Sequence, residues 1–212
     1  MYVPSSFRET NADTLFEFIK QHSFGMLVSQ VDELPFVSHL PFLVDRETGD
    51  HGRLIGHMAR ANPQWIDAAG DVLVVFSGPH AYISPTWYES DKVVPTWNYV
   101  AVHVYGTLQI IDDEESLIGI VRDYVDTYEK SMPQPWVLDT LSGDFIHALV
   151  QQIVGFEILV TRIEGKWKLS QNHTVERRQK VIGVLGEADD DDSRKIAALM
   201  QQTLSPDLSK GA

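Results

Sequence analysis

The segment Gly25–Val44, which reads GMLVSQVDELPFVSHLPFLV, contains two apolar runs on either side of the polar pair Asp32-Glu33. Runs rich in branched and aromatic residues that flank a two-residue turn predict an antiparallel pair of strands, 25–31 and 34–44. Further runs predict strands at 53–57, 71–77, 81–84, 100–111, 154–163 and 166–169. Short strands joined by short turns favour an antiparallel barrel over alternating parallel units.

Turn-forming residues and apolar spacing predict the remaining elements. Gly78-Pro79 is predicted to break the strand that precedes it, and Glu164-Gly165 to form the turn of the last hairpin. Apolar residues at helical spacing predict helices at 11–21, 63–69, 112–130, 138–153, 174–185 and 193–203. The predicted fold class is therefore mainly β with helices, an α+β protein whose barrel is covered by helices.

Between a predicted strand and a predicted helix lies LIGHMARANPQW, residues 54–65. Asn62 is a good helix cap, and Pro63 suits the first helical position. The exposed N–H groups at that helix start, together with Arg60 and His57, would present hydrogen-bond donors and positive charge to a phosphate. The same residues also suit a capped surface helix that binds nothing, so this segment alone leaves both interpretations open.

The composition limits the folds and the chemistries that the chain can support. A chain of 212 residues with 43% hydrophobic residues is long enough for one domain with a sizeable core. The absence of cysteine excludes disulfides, thiolate nucleophiles and cysteine-ligated metal centres, so redox chemistry would require a bound cofactor. We find neither a signal peptide nor an apolar run long enough to span a bilayer, which predicts a soluble, cytoplasmic protein with no membrane partner.

The formal net charge of -13 opposes direct binding to nucleic acid, which normally depends on a basic surface. Arg177, Arg178 and Lys180 form a small basic cluster near Lys166 and Lys168, for which a solvated helix face is the ordinary explanation. The sequence shows no convincing helix-turn-helix pattern. DNA binding is therefore not supported by the charge, and a regulatory role would act indirectly or through a small basic patch on a dimer.

Further blocks accompany residues 54–65 along the chain. They are PFVSHLPF at 35–42, FSGPHAYISPTWY at 76–88, VPTWNY at 94–99 and KLSQN at 168–172, and the chain opens with MYVP followed by Phe7. Together these blocks resemble the PaiB family of FMN-binding split-barrel proteins, which are often described as negative transcriptional regulators. The resemblance implies an antiparallel split β-barrel of the FMN-binding type, FMN as cofactor, and a homodimer with the pocket at the subunit interface.

The resemblance also implies which residues bind the FMN phosphate. In flavin split barrels a strand and the following strand-to-helix corner have this role, which carries over here to Ser38, His39, Gly56, His57, Met58 and Arg60, with Asn62 as the helix cap. Pyridoxamine-oxidase relatives have a denser set of Arg and Lys at this corner, so the expected affinity for FMN is modest. The FMN-binding domain is predicted to span 1–186, followed by an acidic linker and C-terminal helix at 187–212.

The flavin ring needs an aromatic or apolar wall and donors for its carbonyl oxygens. The candidates for the wall are Trp87, Tyr88, Trp97 and Tyr99. Asn98 is a candidate donor, and Lys168 is a candidate partner for a phosphate or a ring carbonyl. Gln171 and Asn172 are candidates for hydrogen bonds to the ring edge. A capped turn before the next helix explains residues 168–172 equally well.

Two other functions are compatible with the same fold. A flavin-dependent oxidoreductase of the pyridoxamine-oxidase type would place a small-molecule substrate over the exposed flavin face, although the sequence assigns no catalytic residue. A haem-binding split barrel would take its axial ligand from His39, His57 or His103. The histidine spacing matches no zinc site, and no nucleophile elbow is present, so neither a metal nor a hydrolase is predicted. The preferred interpretation is an FMN-binding PaiB-like transcriptional regulator or flavin-dependent sensor.

Overall fold

The computed structural model describes residues 1–67, 70–88 and 93–204. Within these ranges the strands are β1 (Arg8–Glu9), β2 (Phe24–Val31), β3 (Leu34–Pro41), β4 (Leu43–Asp45), β5 (Arg53–Ala59), β6 (Gly70–Ile83), β7 (Thr96–Ile111) and β8 (Ile153–Lys168). The helices are α1 (Ala12–Gln21), α2 (Gln64–Asp67), α3 (Glu114–Glu129), α4 (Gly143–Val150), α5 (Val175–Gly186) and α6 (Asp191–Gln202). Residues 68–69 of the predicted helix 63–69 and residues 205–212 of the predicted C-terminal segment lie outside the described residues.

The strands form one sheet in the order β3-β2-β6-β7-β8-β5-β4, and β1 pairs with β8. The pairs β1–β8, β2–β3, β2–β6, β4–β5 and β5–β8 are all antiparallel. Asp32 and Glu33 form the turn between β2 and β3 with φ angles of 50° and 65°. Positive φ at both central residues is what a tight hairpin turn requires. The predicted hairpin and the predicted α+β class are therefore confirmed.

The chain folds into two compact units. The first unit comprises Met1–Leu15, Ser77–Val102 and the described residues from Glu164 onward, and the second comprises Phe16–Phe76 and His103–Ile163. In the first unit α5 packs against α6. The buried core of the first unit includes Ile83, Val100, Leu169, Val181, Leu185, Ile196 and Met200. The buried core of the second includes Leu27, Phe42, Leu54, Phe76, Leu117, Phe156 and Ile158.

Two predicted breaks lie inside continuous strands, so both predictions are wrong. β6 runs through Gly78-Pro79, and β8 runs through Glu164-Gly165. Gly165 pairs with β1, and a Cβ at that position would lie 2.4 Å from the Leu15 side chain. The glycine therefore permits close packing rather than a turn. Pro79 is buried, but it lies outside residues 73–75, the part of β6 that pairs with β2. Its missing N–H therefore removes no hydrogen bond between these two strands.

The helices α1, α3, α5 and α6 begin and end within two residues of their predicted bounds. Asp113 caps α3, because its side chain accepts a hydrogen bond from the Ser116 N–H at 2.9 Å. α4 is shorter than the predicted helix 138–153: Leu138–Thr140 forms a separate 3-10 turn, and Ile153 already belongs to β8. No helix within the described ranges has the length and apolar character needed to cross a membrane.

Candidate functional site

The predicted phosphate corner lies in the second unit, between β5 and α2. The Asn62 Oδ1 accepts a hydrogen bond from the Gln64 N–H at 3.0 Å, so the predicted cap is present. The Gln64 side chain is fully buried, and its Nε2 donates to the Leu27 carbonyl at 3.1 Å and to the Ser29 hydroxyl at 3.0 Å. These bonds hold α2 against β2. Because α2 is only four residues long, its dipole adds little positive charge.

Asn62 also contacts the first of the two predicted residues on β3. Its Nδ2 donates to the Ser38 Oγ at 2.8 Å, and Ser38 is almost completely buried. The next residue, His39, is exposed and stacks on Phe24 with ring centroids 6.4 Å apart. Alternate residues of a strand face opposite sides of the sheet. Ser38 therefore lies at the corner, whereas His39 belongs to the other face of β3.

Arg60 is engaged with other groups of the second unit. Its guanidinium forms an ion pair with Asp112. Its Nε donates to the Gln151 carbonyl at 3.0 Å, and its Nη2 donates to the Ile153 carbonyl at 2.8 Å. The hydrogen bond from Arg60 holds the pKa of Asp112 below its usual value. A phosphate that approached Arg60 would therefore compete with Asp112 for the guanidinium.

His57 is a half-buried imidazole on β5. Burial lowers its pKa, so the neutral ring is favoured. Its ring lies edge-on to Tyr124 with centroids 4.9 Å apart. The Tyr124 hydroxyl is held in turn by the carbonyls of Pro41 at 2.6 Å and Ile55 at 3.1 Å. Among the described residues the buried His57 Nδ1 has no hydrogen-bond partner. This nitrogen is therefore available to a ligand group or to water.

Gly56 and Met58, which flank His57, are packed against the core of the second unit. A Cβ on Gly56 would lie 2.3 Å from Cζ of Phe156, so the glycine is needed for the close approach of that ring. The Met58 side chain is fully buried. Gly56 has no side chain and that of Met58 is buried, so a contact from these two residues to a ligand would come from the backbone.

The other predicted residues lie in the first unit, where a pocket of about 320 Å³ opens beside the start of β7. Its lining includes Phe7, Thr96, Asn98, Lys168, Asn172 and His173. Three of these were predicted as flavin contacts from the sequence: Asn98, Lys168 and Asn172. The fold therefore brings residues of the VPTWNY and KLSQN blocks together in one pocket.

A buried polar network forms part of this pocket. The Asn98 Nδ2 donates to the Ser170 Oγ at 3.0 Å, and that Oγ lies 3.2 Å from the Tyr88 hydroxyl. All three side chains are buried. Ser170 has φ of 61°, a left-handed conformation that is uncommon for a residue other than glycine. The network fixes the Asn98 amide in position next to the pocket.

Positive charge is concentrated at the same place. Lys168 donates to the Thr96 hydroxyl and to the Trp97 carbonyl. Burial and the nearby charge of Lys166 lower the pKa of Lys168. Burial, Arg177 and Lys168 likewise lower the pKa of His173. The charges of Lys166, Lys168 and Arg177 therefore create a positive potential around Lys168 and His173, which a bound anion would relieve.

Gln171 and Asn172 have different environments. The Gln171 Oε1 accepts from the Leu169 N–H at 2.7 Å, and its Nε2 donates to the Trp167 carbonyl at 2.6 Å. The side-chain amide of Gln171 thus closes the turn after β8. Asn172 is exposed and lines the pocket. Gln171 therefore stabilises a turn, which was the alternative to ligand binding, whereas the Asn172 side chain is accessible to a ligand.

Trp97 does not line the pocket that contains Asn98. Consecutive residues of a strand point to opposite faces, and Trp97 is 51% exposed whereas Asn98 is fully buried. The Trp97 ring meets Tyr82 edge-on, with centroids 5.8 Å apart, in a separate cavity that also contains Trp87. Tyr99 lies beneath the ammonium of Lys166, 5.1 Å from its ring centroid. The residues predicted to form the aromatic wall therefore do not line one pocket.

Sequence reasoning did not select three polar residues of the pocket, Thr96, Ser170 and His173. Thr96 lies inside the VPTWNY block and Ser170 inside KLSQN, so both motifs already contained the signal. His173 follows the second block directly. A small hydroxyl residue in a motif is difficult to distinguish from a turn former without knowledge of its partners. Their proximity to Asn98 and Lys168 becomes visible only in the fold.

Comparisons with known proteins identify the family. A family model described as "Putative FMN-binding domain" matches residues 1–162. The "Protease synthase and sporulation protein PAI 2" of Bacillus subtilis (strain 168) is 38% identical over 210 residues, which cover 98% of this chain and 100% of the relative. A match of this extent includes the sequence blocks between residues 35 and 172.

Solved structures show the same fold at low sequence identity. The Flavocytochrome Anf3 from Azotobacter vinelandii is 14% identical, with a TM-score of 0.55, over 76% of this chain and 69% of that chain. The FAD and Heme binding protein from Mycobacterium smegmatis is 12% identical, also with a TM-score of 0.55, over 81% of this chain and 78% of that chain. The antiparallel split-barrel fold is thus confirmed. The chain belongs to the PaiB family of FMN-binding split-barrel proteins.

Proposed function

We propose that this protein binds FMN through the pocket beside the start of β7 and serves as a flavin-dependent regulator or sensor. The observation that carries the proposal is the positive potential of that pocket. The charge of Lys166 lowers the pKa of Lys168, and the charges of Arg177 and Lys168 lower the pKa of His173, in a chain whose net charge is -13. A local concentration of positive charge in an acidic protein favours an anionic ligand.

The residues of this pocket fit the chemical groups of FMN. Lys168 supplies a charged donor for a phosphate or ring carbonyl. The buried Asn98 supplies an amide, and Phe7 and Val94 supply apolar surface for a planar ring. Bound FMN would supply electron-transfer chemistry, while these side chains bind and orient it. Asn172, at the pocket surface, is a further candidate donor.

The corner in the second unit is a separate candidate for phosphate binding. Ser38 and Asn62 present polar groups there, and His57 has an unpartnered buried nitrogen among the described residues. Gly56 and Met58 contribute backbone only. Arg60 contributes if the phosphate displaces Asp112. We propose this corner independently of the first pocket, and each is tested by its own variant.

A regulatory role rests on the family rather than on a DNA-binding surface. The Bacillus subtilis relative is named for protease synthesis and sporulation. The charge of -13 makes extended contact with DNA unfavourable, so we propose that regulation is indirect or uses a small basic patch on a dimer. The cytoplasmic location predicted from the sequence belongs to the same proposal.

We also propose that the chain forms a homodimer. β3 is at one end of the strand order, and Leu34 and Val37 on it are exposed, as is Phe24 on β2. An exposed apolar edge strand favours pairing with another chain. Light scattering after size exclusion should give twice the monomer mass. Leu34→Lys should shift the protein to monomer, and a monomeric wild type would contradict the proposal.

The experiment for the proposed function is a titration of the purified apo-protein with FMN, followed by flavin fluorescence. We expect saturable quenching and a Kd at least about tenfold higher for Lys168→Ala, because a charge-assisted hydrogen bond is lost. Lys130→Ala removes an exposed lysine from the end of α3 and is the matched control. Equal affinity in all three proteins would exclude Lys168 from the site. Oxidation of NAD(P)H by the loaded protein would indicate an oxidoreductase instead of a sensor.

Haem is the second candidate ligand, favoured by one observation. Burial keeps the His57 imidazole neutral, which is the form that coordinates iron. Addition of haem should then produce a Soret band that weakens in His57→Ala and remains in His39→Ala, because His39 is exposed and stacked on Phe24. A band that persists in both variants would exclude His57 and leave His103 to be tested.

A further inference from the structure

The first unit contains a second cavity, which the proposed FMN site does not use. Its volume is about 740 Å³, within the range of small-molecule pockets. Its lining includes an aromatic side, Tyr82, Trp87 and Trp97, and an acidic rim, Asp190, Asp191 and Asp192. The cavity therefore combines aromatic faces with carboxylates.

The aromatic side is exposed and held in place by its own contacts. Trp97 is 51% exposed and Tyr82 is 46% exposed. Their rings meet edge-on at 5.8 Å, and the His80 ring lies 5.9 Å from that of Trp97. Neighbouring aromatic side chains that remain this exposed form an apolar patch, and such patches are typical of ligand- or partner-binding surfaces. The face of Trp97 is also the best aromatic surface for a cation.

The rim carries a local excess of negative charge. Residues 187–195 contain five acidic side chains against Arg194 and Lys195. Asp190 caps α6 by accepting from the Ser193 N–H at 2.8 Å, and Asp191 pairs with Arg194. Asp192 lies 3.3 Å from the His80 Nδ1. The positive end of the α6 dipole, about half a unit charge, is outweighed by these carboxylates.

This charge distribution decides the class of ligand. A phosphate would be repelled by the rim, so the cavity does not suit the anionic part of FMN. A cation would be attracted by the carboxylates and would gain further from contact with an aromatic face. A purely apolar molecule would contact the aromatic side alone and would gain nothing from the negative charge of the rim.

We propose that this cavity binds an organic cation, namely an ammonium group carried on an aromatic or aliphatic body. The ammonium contacts the carboxylates of Asp191 and Asp192 and the face of Trp97, and the body packs against Tyr82 and Trp87. The proposal does not depend on FMN binding, because the two pockets lie on opposite faces of the start of β7.

The test compares phenethylamine with 2-phenylethanol, which has the same apolar body and no charge. Binding to the full chain is measured by calorimetry at low ionic strength. We expect the amine to bind at least about tenfold more tightly than the alcohol. Trp97→Ala and the double variant Asp191→Asn/Asp192→Asn should each weaken amine binding about tenfold. Trp97→Phe, which keeps an aromatic face, should retain most of it.

Trp136→Ala is the matched control, since Trp136 is exposed and lies in the second unit. It should leave amine binding unchanged. Circular dichroism verifies that each variant is folded, and the Asp191→Asn/Asp192→Asn pair provides the test if Trp97→Ala does not fold. Equal binding of amine and alcohol, no saturable amine binding at millimolar concentration, or the same loss in Trp136→Ala would overturn the proposal.

Discussion

Asn98 and Ser170 are hydrogen-bonded to each other inside the first unit, with the Asn98 Nδ2 donating to the Ser170 Oγ at 3.0 Å. Both side chains are buried, and the same Oγ lies 3.2 Å from the Tyr88 hydroxyl. The bond joins β7 to the turn that follows β8. It therefore supports the pocket proposed to bind FMN and also contributes to the stability of the unit.

Ser170→Ala should lower the free energy of unfolding by about 1–3 kcal/mol, because buried polar groups of Asn98 and Tyr88 lose a partner. Ser170→Gly removes the same hydroxyl but adopts the φ of 61° without strain, so its loss should be smaller. Urea denaturation measures both. A greater loss for Ser170→Gly than for Ser170→Ala would contradict the importance of the left-handed backbone at this position.

Asp112→Asn should strengthen FMN binding if Arg60 contacts the phosphate. The Arg60 guanidinium is paired with Asp112, and the substitution removes the competing negative charge. We expect Asp112→Asn to lower the Kd a few-fold and Arg60→Ala to raise it about tenfold. Fluorescence titration with FMN measures both constants. Unchanged affinity in both variants would show that Arg60 has a structural role, bridging β5 to the start of β8.

Much of the fold could be predicted from local patterns. Residues 25–44 predicted their hairpin because two apolar runs and a polar pair define it without help from distant residues. Gly165 was misleading because a glycine in a turn and a glycine under a close side chain look alike in sequence. Only the ladder with β1 and the proximity of Leu15 distinguish the two cases.

The candidate site was less predictable, for a physical reason. Asn98, Lys168 and Asn172 were selected from their motifs, and the fold brings them into one pocket. The partner of Arg60 could not be predicted, since Asp112 is 52 positions away in sequence. The separation of Trp97 from Asn98 follows from the two-residue period of a strand, but the predicted strand began only at residue 100.

Gly56→Ala should destabilise the protein by about 1–3 kcal/mol, because the added Cβ would lie 2.3 Å from Cζ of Phe156. Phe156→Leu in the same chain should recover part of this loss by making room. Gly119→Ala is the control: it lies within α3 with no atom within 4 Å of the added Cβ, so it should stabilise by about 0.5–1 kcal/mol. Thermal melts give all three values. A neutral Gly56→Ala would mean that the Phe156 ring can move aside.

The pH dependence of stability should reveal the buried state of His57. Burial lowers its pKa in the folded protein, so the unfolded chain takes up a proton first as the pH falls below about 6.5. Folding stability therefore decreases from neutral pH downward through the range between the unfolded and folded pKa values. The pKa of His173 is also lowered, so His173 likewise reduces stability as the pH falls. The pKa of His147 is raised by its hydrogen bond to Glu114, so His147 has the opposite effect on stability.

His57→Phe should consequently reduce the loss of stability between about pH 7.5 and pH 5.5, a window in which carboxylates stay ionised. The substitution keeps a flat ring next to Tyr124 and leaves His173 and His147 unchanged, so the difference from wild type isolates His57. Urea midpoints at the two pH values provide the measurement. His51→Asn, at an exposed position, should behave as wild type. If His57→Phe loses as much stability as wild type over this range, the imidazole is protonated as easily in the folded protein as in the unfolded chain.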